Sequence, residues 1–417
     1  MSGGPKHRRL VVALGCVLAV VAAAGCDWNQ LGFDPAQTSY NTSESALTAS
    51  SVRNLGVAWT CPSQSCSTAF ASQVVVGNGK VFAPGPFDTF IKQDDVVALD
   101  AVAGTTSWTH HFFPASIPVA VANGLVYVGV SNSENQSLAA LDEPTGALRW
   151  DVALPAPAAT FPALVLVRVS GSLAVALTKA VGSDGISTTG GVVSAVDTAG
   201  RVVWSATPGG NVENVAVTAD GVTALWSETL GVAPFVRTHL TTYGATDGHV
   251  VRSLTPTLDD GAGHAATPDG NLTIGNGVAY LTAGSSTASG IFAVDTTSGD
   301  VRWSAVPGAI SSLVLAPGRL LSVNRSGGAN ALVARDPATG AVQWSSDVPA
   351  TSGGVRLSAA GELVYTAGAG IDMYSISDGS HAARFAPPNA HALSVVPSEG
   401  RLYTFWPAGI VALQPTG

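Results

Sequence analysis

Few residues in this chain are equipped for chemistry. Among 8 His, the candidates for acid–base work are His239, His264, His381 and His391, each isolated along the sequence. Residues from distant segments can converge on a hydrolase or lyase centre without leaving a local signature, but a lone His in a β-rich chain is far more often a surface or turn residue. No G-x-S-x-G elbow, phosphate loop or H-E-x-x-H pair is present. Zinc needs four ligands at suitable spacing, and His110 and His111 are adjacent. The acids recur instead at one repeated position, Asp100, Asp142, Asp197, Asp295 and Asp336, where turn formation already accounts for them. The expectation is no catalytic residue, no metal and no cofactor.

The elements that carry those acids form a repeat. A-L-D-A-V-A-G-T-T-S-W ends at Trp108, A-L-D-E-P-T-G-A-L-R-W at Trp150, A-V-D-T-T-S-G-D-V-R-W at Trp303 and A-R-D-P-A-T-G-A-V-Q-W at Trp344. A shorter copy, A-V-D-T-A-G-R-V-V-W, ends at Trp204, and degenerate copies place Gly244, Ser375 and Gln414 at the Asp position. The copies recur every 39 to 55 residues, and about 40 to 45 residues make one four-stranded propeller blade. Asn-Gly pairs at Asn78, Asn123 and Asn276, between apolar alternations, mark a second hairpin upstream of the motif. The last copy lacks its Trp and outer strand, while an orphan strand N-L-G-V-A-W-T ends near the N-terminus with Trp59 and Thr60. Joining the two pairs the free sheet edges. The expected fold is all-β: an eight-bladed β-propeller of four-stranded antiparallel blades, closed by an N-terminal strand that completes the last blade. In each motif the Asp accepts hydrogen bonds from turn amides, the Gly supplies a left-handed residue, and the Trp docks neighbouring blades.

These units resemble the proteins with pyrroloquinoline-quinone-like (PQQ-like) propeller repeats, and the resemblance covers nearly the whole chain after residue 26. The segment D-W-N-Q-L-G-F-D from Asp27, with A-L-T from Ala46, also looks like that family's leader. The family holds quinone-dependent alcohol and sugar dehydrogenases, and non-enzymatic propellers such as the lipoprotein of the outer-membrane β-barrel assembly machine. The repeat does not choose between them. A quinoprotein usually has extra insertions, calcium ligands and often a pair of adjacent cysteines. Here the copies are short and no adjacent pair exists. The expectation is a protein-binding or scaffolding propeller, with a PQQ- and calcium-dependent dehydrogenase as the alternative.

At the N-terminus, Lys6, Arg8 and Arg9 precede an uncharged run from Leu10 to Gly25, the order of a secretory signal. It is shorter than the roughly 20 residues of a spanning helix. A-A-G-C at Ala23 to Cys26 resembles the lipobox of bacterial lipoproteins, which makes Cys26 the lipid attachment residue. An ordinary signal-peptidase site and an uncleaved anchor are the alternatives, and all three place the remainder outside the cytoplasm. With Cys16 and Cys26 so assigned, Cys61 and Cys66 remain and are expected to form one disulfide. The organisation expected is a signal peptide over 1–25, a short anchored leader over 26–50 and a single propeller over 51–417.

Charged residues make up 11% of the chain, against about 25% in typical proteins. Loss of three cations with the signal moves the net charge from -9 to -12. No basic block is present to hold nucleic acid or anionic headgroups. The expected partners are proteins of the cell envelope, with the membrane reached through the anchor and the chain itself a monomer. An Arg-to-Lys ratio of 15 to 4 points to a GC-rich coding sequence, whereas a role in outer-membrane assembly presupposes an outer membrane. The tight Asn-Gly and Thr-Gly turns should share one face of the propeller and the longer, variable loops the other, where recognition usually sits. Phe87, Phe90, Ile91, Trp226 and Phe235, in or beside those loops, are the expected partner contacts.

Overall fold

The computed structural model describes residues 27–66, 74–88, 93–112, 116–131, 136–157, 161–181, 188–231, 236–259, 263–285, 289–306, 309–326, 329–349, 355–387, 391–406 and 409–416. Eight sheets succeed one another around an axis. Blades 1 to 7 span residues 75–112, 116–153, 161–206, 211–254, 267–305, 309–348 and 356–385, and blade 8 begins at residue 394. Within each blade the chain runs outward from the axis through antiparallel neighbours. The outer strand of blade 8 is Leu55–Pro62, paired antiparallel with the C-terminal strand Gly409–Pro415. Trp59 faces Ala412 in that register, so the orphan strand closes the ring as its sequence indicated.

The motif residues have three structural jobs. First, the Asp organises the turn: Asp142 Oδ1 accepts from Thr145 N and Oγ1, Asp295 Oδ1 from Thr297 N and Ser298 N, and Asp336 Oδ1 from Ala338 N and Thr339 N. Second, the Ala faces the Trp across the strand pair, as in Ala98–Trp108, Ala140–Trp150, Ala195–Trp204, Ala293–Trp303 and Ala334–Trp344. All five Ala are fully buried. The strand that carries them does not alternate in burial: Gln136–Asp142 and Ser289–Asp295 are buried through both faces. The physical reason is that each blade is sandwiched between two neighbours. Only the outer strands, such as Leu148–Ala153 and Val301–Ala305, stand alternately in solvent.

Third, in six of the blades a Trp reaches the turn of the next. Trp59 Nε1 donates to Ala101 O, Trp108 to Glu143 O, Trp150 to Thr198 O, Trp204 to Ala245 O, Trp303 to Pro337 O and Trp344 to Ile376 O. Each indole also lies flat against the Gly of that turn. A methyl group on Gly146 would sit 2.6 Å from the Trp108 ring, and one on Gly200 2.7 Å from Trp150. Glycine is therefore required for space as well as for its positive φ. Blades 4 and 7 depart from the pattern: in blade 4 Arg252 occupies the Trp position, its guanidinium donates to Thr296 O, and Leu254 covers Gly299, while in blade 7 Ala383, opposite Met373, stands at that position. Cys61 and Cys66 are bonded, with Cα atoms 5.8 Å apart, and staple the end of the closing strand.

Two glycines of blade 2 separate the two requirements. Gly124 and Gly146 both have φ of +72°, but space is open around Gly124, whereas Gly146 lies under Trp108. Gly124→Ala should cost about 1 kcal/mol for the left-handed backbone. Gly146→Ala should cost roughly 1–3 kcal/mol more for the displaced indole, and urea unfolding of the two variants reads the difference directly.

The turn aspartates make a second prediction. The Thr145 hydroxyl and Arg149 hold the Asp142 carboxyl below its usual range, the Arg201 amide and side chain do so for Asp197, and the Thr339 amide and hydroxyl for Asp336. Carboxylates that bind protons more weakly when folded stabilise the fold above the unfolded value of about pH 4, and that contribution is lost as pH falls through the folded values. Tm should decline below about pH 4. In an Asp142→Asn, Asp197→Asn, Asp336→Asn triple variant the decline should be shallower, because the turns keep an amide acceptor that does not titrate.

Candidate functional site

The segment that precedes the closing strand builds the floor of the site. From Asp27 to Asn41 the chain passes around the inside of the ring, meeting one inner strand after another. Trp28 O accepts from Val76 N of blade 1, and Asn29 O from Val121 N of blade 2. The Gln30 side chain makes two bonds to Val169 of blade 3. Pro35 O accepts from Val217 N of blade 4, Ala36 O from Ile274 N of blade 5, Thr38 O from Leu315 N of blade 6 and Ser39 O from Ala359 N of blade 7. Asn41 Nδ2 donates to Pro397 O of blade 8, whose Ser398 Oγ accepts from Trp28 N. Tyr40–Asn41 adds a parallel fifth strand to blade 7.

So tight a path requires unusual backbone. Phe33, Gln37 and Ser39 have φ of +72°, +64° and +53°, the kind of local strain that persists only where surrounding contacts enforce it. Asp34 supplies one such contact, its two oxygens accepting from Thr38 N at 2.9 Å and Thr38 Oγ1 at 2.6 Å.

Residues 27–41 thus form a plug, which meets the inner strands near their C-terminal ends, on the face of the tight turns. The residues that line the remaining cavity, among them Arg168, Glu213, Asn214, Asn271, Ser312 and Arg356, precede those contact points along their strands, so the funnel opens toward the loop-bearing face. Its volume is about 420 Å³, and Leu31, Gly32, Gln37 and Ser39 of the plug contribute to its floor.

Charge is concentrated here. Arg168, on the inner strand of blade 3, is 6% exposed; its Nη2 donates to Gln37 Oε1 and its Nη1 to Val167 O, while its Nε has no partner. Burial draws its pKa down to about 10, with Asp34 opposing. Lys179, on the second strand of the same blade, is 5% exposed and stands 3.4 Å from Glu213 Oε2. Burial pushes the Glu213 carboxyl up and Lys179 pulls it down. Gln37 ties floor to wall, since its Nε2 donates to Asn214 Oδ1 and Val215 O, both at 2.9 Å.

The residues expected to act from sequence lie elsewhere. His239, on the third strand of blade 4, stacks on Trp226 at 3.9 Å between ring centroids and 9° between planes, with Glu228 Oε1 3.2 Å from its Nε2. His381, on the outer strand of blade 7, pairs with Asp372. His264 and His391 lie in the connections from blade 4 to 5 and from blade 7 to 8. These four occupy separate elements, and no group of three His, Cys, Asp or Glu suited to a metal occurs among the described residues. Trp226 is half-buried near the loop end of its strand, its Nε1 donating to Thr241 Oγ1. Phe90, Ile91, Phe235 and Cys26 lie outside the described residues, as does the Phe87 side chain, whose backbone pairs with Asp94. Arg168 and Lys179 were missed, although a cation inside L-V-L-V-R-V-S or L-A-V-A-L-T-K-A-V is itself a signal, because a strand buried on both faces tolerates a charge only beside a polar space.

Comparison with known proteins gives the following. A family model described as outer membrane protein assembly factor BamB matches residues 92–346. No curated protein matches the sequence. Among solved structures, quinohemoprotein alcohol dehydrogenase from Comamonas testosteroni is similar at 15% identity over 93% of this chain and 80% of its own, with a TM-score of 0.65. BamB from Moraxella catarrhalis is similar at 16% identity over 86% of this chain and 99% of its own, with a TM-score of 0.58. The computationally designed Ika8 protein is similar at 11% identity over 87% and 100%, with a TM-score of 0.61. At such identities the likeness is one of fold alone.

The contact between plug and wall is open to test. Gln37→Ala removes an acceptor from a buried guanidinium and both bonds to blade 4, and should lower stability by about 2–4 kcal/mol. Gln37→Glu, which returns an acceptor to Arg168, should recover part of that loss in the same chemical-denaturation measurement.

Proposed function

This chain belongs to the family of the outer membrane protein assembly factor BamB, and from that membership we propose that it is a non-catalytic cell-envelope propeller that binds protein partners through its loop-bearing face. The observation that carries this reading is the family match over residues 92–346, more than half of the chain. Its mature form begins at a lipidated Cys26, which fixes it to a membrane on the extracytoplasmic side.

The path of the plug supports a definite orientation for that arrangement. Asp27, the residue after Cys26, lies at the tight-turn face, where its Oδ2 accepts from Asn78 N. An anchor at Cys26 therefore holds the tight-turn face toward lipid and points the loops and the funnel mouth away from it. Only a rigid scaffold with variable loops on the distal face is then needed to meet a partner, and Phe87, Phe90, Ile91, Trp226 and Phe235 are the residues assigned to that contact.

The second reading, a PQQ- and calcium-dependent dehydrogenase, is favoured by the similarity in fold to the quinohemoprotein enzyme. Calcium takes six to eight oxygen ligands, usually with several carboxylates. The funnel lining offers one carboxylate among the described residues, Glu213, and Lys179 already holds it. Those residues do not fit a calcium–quinone pair.

Two measurements test the proposal. Cys26→Ser should abolish palmitate labelling and release the chain from the membrane fraction. Photo-crosslinkers placed at Phe87, Phe90 and Phe235 should yield one discrete envelope-protein adduct in cells, whereas a crosslinker at Thr145 on the tight-turn face should not. Equal labelling from both faces, or dye reduction by the protein supplied with PQQ, calcium and an alcohol, would sink the reading.

A further inference from the structure

We propose that the axial funnel is a binding site for a small organic acid, whose carboxylate is held by Arg168 and Lys179 and whose carbon skeleton lies against Leu166 and Leu357. The proposal rests on the funnel's own residues and does not require the protein-docking reading.

The first observation is the distribution of charge. The chain carries 19 Lys and Arg against 28 Asp and Glu, with only four lysines in all. Yet the funnel lining gathers Arg168, Lys179 and Arg356 with one carboxylate, Glu213. Two further carboxylates act on these groups: Asp34 on Arg168, and Asp269 on Glu213. Both are already engaged, Asp34 by Thr38 and Asp269 by the Thr282 hydroxyl. The charges gathered around this cavity are thus three cations and three carboxylates, in a protein whose acids outnumber its bases 28 to 19.

The second observation is the state of Arg168. A buried guanidinium is expensive unless its donors are matched; Arg168 lines the cavity, and its Nε, itself shut off from solvent, has no partner. Its two other described bonds go to neutral oxygens, those of Gln37 and Val167. Lys179, equally buried, meets Glu213 only at 3.4 Å, longer than the 2.7–2.9 Å of a strong charge-assisted bond. An arriving carboxylate would give Lys179 a closer charge-assisted partner and place a negative charge beside the Arg168 guanidinium, whose described partners are neutral.

The third observation is shape. About 420 Å³ falls within the range of small-molecule pockets. The wall combines Val165, Leu166 and Leu357 with the polar groups of Asn271 and Ser312, which suits a short aliphatic skeleton bearing further oxygens better than a bare inorganic anion. Arg356, exposed in the lining across the ring on blade 7, is placed to hold a second carboxylate.

The test is isothermal titration and thermal melting of the full chain, purified in detergent at low salt, with succinate, citrate, hexanoate and inorganic phosphate as probes. The expected result is saturable one-to-one binding of at least one carboxylate, at least tenfold tighter than phosphate, with a rise in Tm. Lys179→Met should weaken it tenfold or more, and Arg356→Ala, at an exposed position that leaves the fold intact, should weaken a dicarboxylate more than hexanoate. Binding of phosphate as tight as any carboxylate, no saturable binding by any probe, or affinities unchanged in both variants would each overturn the assignment.

Discussion

The contact on which the ring depends is an indole lying on a glycine. Each blade alone is a four-stranded sheet whose two broad faces are apolar, and it is stable only when both are covered. The Trp at the start of an outer strand does this for its neighbour, covering the turn Gly and donating Nε1–H to a carbonyl of the same turn. One side chain therefore sets both the spacing and the rotation between consecutive sheets. The motif elements follow from it: Ala opposite the Trp because a larger residue would crowd the strand pair, Gly under it because a Cβ has no room, and Asp in the turn because the Gly must be held at one height.

Repetition of a local contact makes a curved stack, and something else must make it a closed ring of eight. Two parts of the N-terminal region do so at different radii. Leu55–Pro62 closes the circumference by pairing with Gly409–Pro415, and its Trp59 completes the series by reaching Ala101 of blade 1. Residues 27–41 act at the axis, where they touch every inner strand. A chain that bonds to all eight blades from inside counts them, since a ring with one blade more or fewer would not match the order of its carbonyls.

The circumference was legible in the sequence, and the axis was not. Trp, Gly and Asp recur at fixed offsets because they answer the same geometric demand in every blade, so their pattern survives in single-sequence form. The Asn-Gly turns were equally readable, because positive φ at two consecutive residues admits few alternatives: Asn78, Asn123 and Asn276 all adopt it. Blade 4 was legible only as a degenerate copy at Gly244, and its docking residues were not, because Arg252 with Leu254 performs the same docking by different chemistry. The plug escaped for another reason. Its partners lie up to 370 residues away, it bonds mostly through main-chain groups that any residue carries, and it has no period. Arg168, Lys179 and Glu213 are a property of how blades 3 and 4 face the axis, which the repeat does not encode.

Plugging one end of the channel has a functional consequence that the blade motif alone would not produce. An open channel through a propeller is symmetric in access, whereas in this one residues 27–41 cross the tight-turn end, where the residue that follows Cys26 also lies. The same fifteen residues thus close the ring, give the funnel a floor, and supply through Gln37 the acceptor for the buried Arg168. Because Gln37 also bonds Asn214 and Val215, a change in what Arg168 contacts within the funnel is transmitted to the junction between the plug and blade 4. One amide side chain thus joins the funnel's buried guanidinium to the plug and to blade 4. By thermodynamic linkage, any ligand that engages Arg168 without displacing Gln37 stabilises the closed ring to the extent of its own binding.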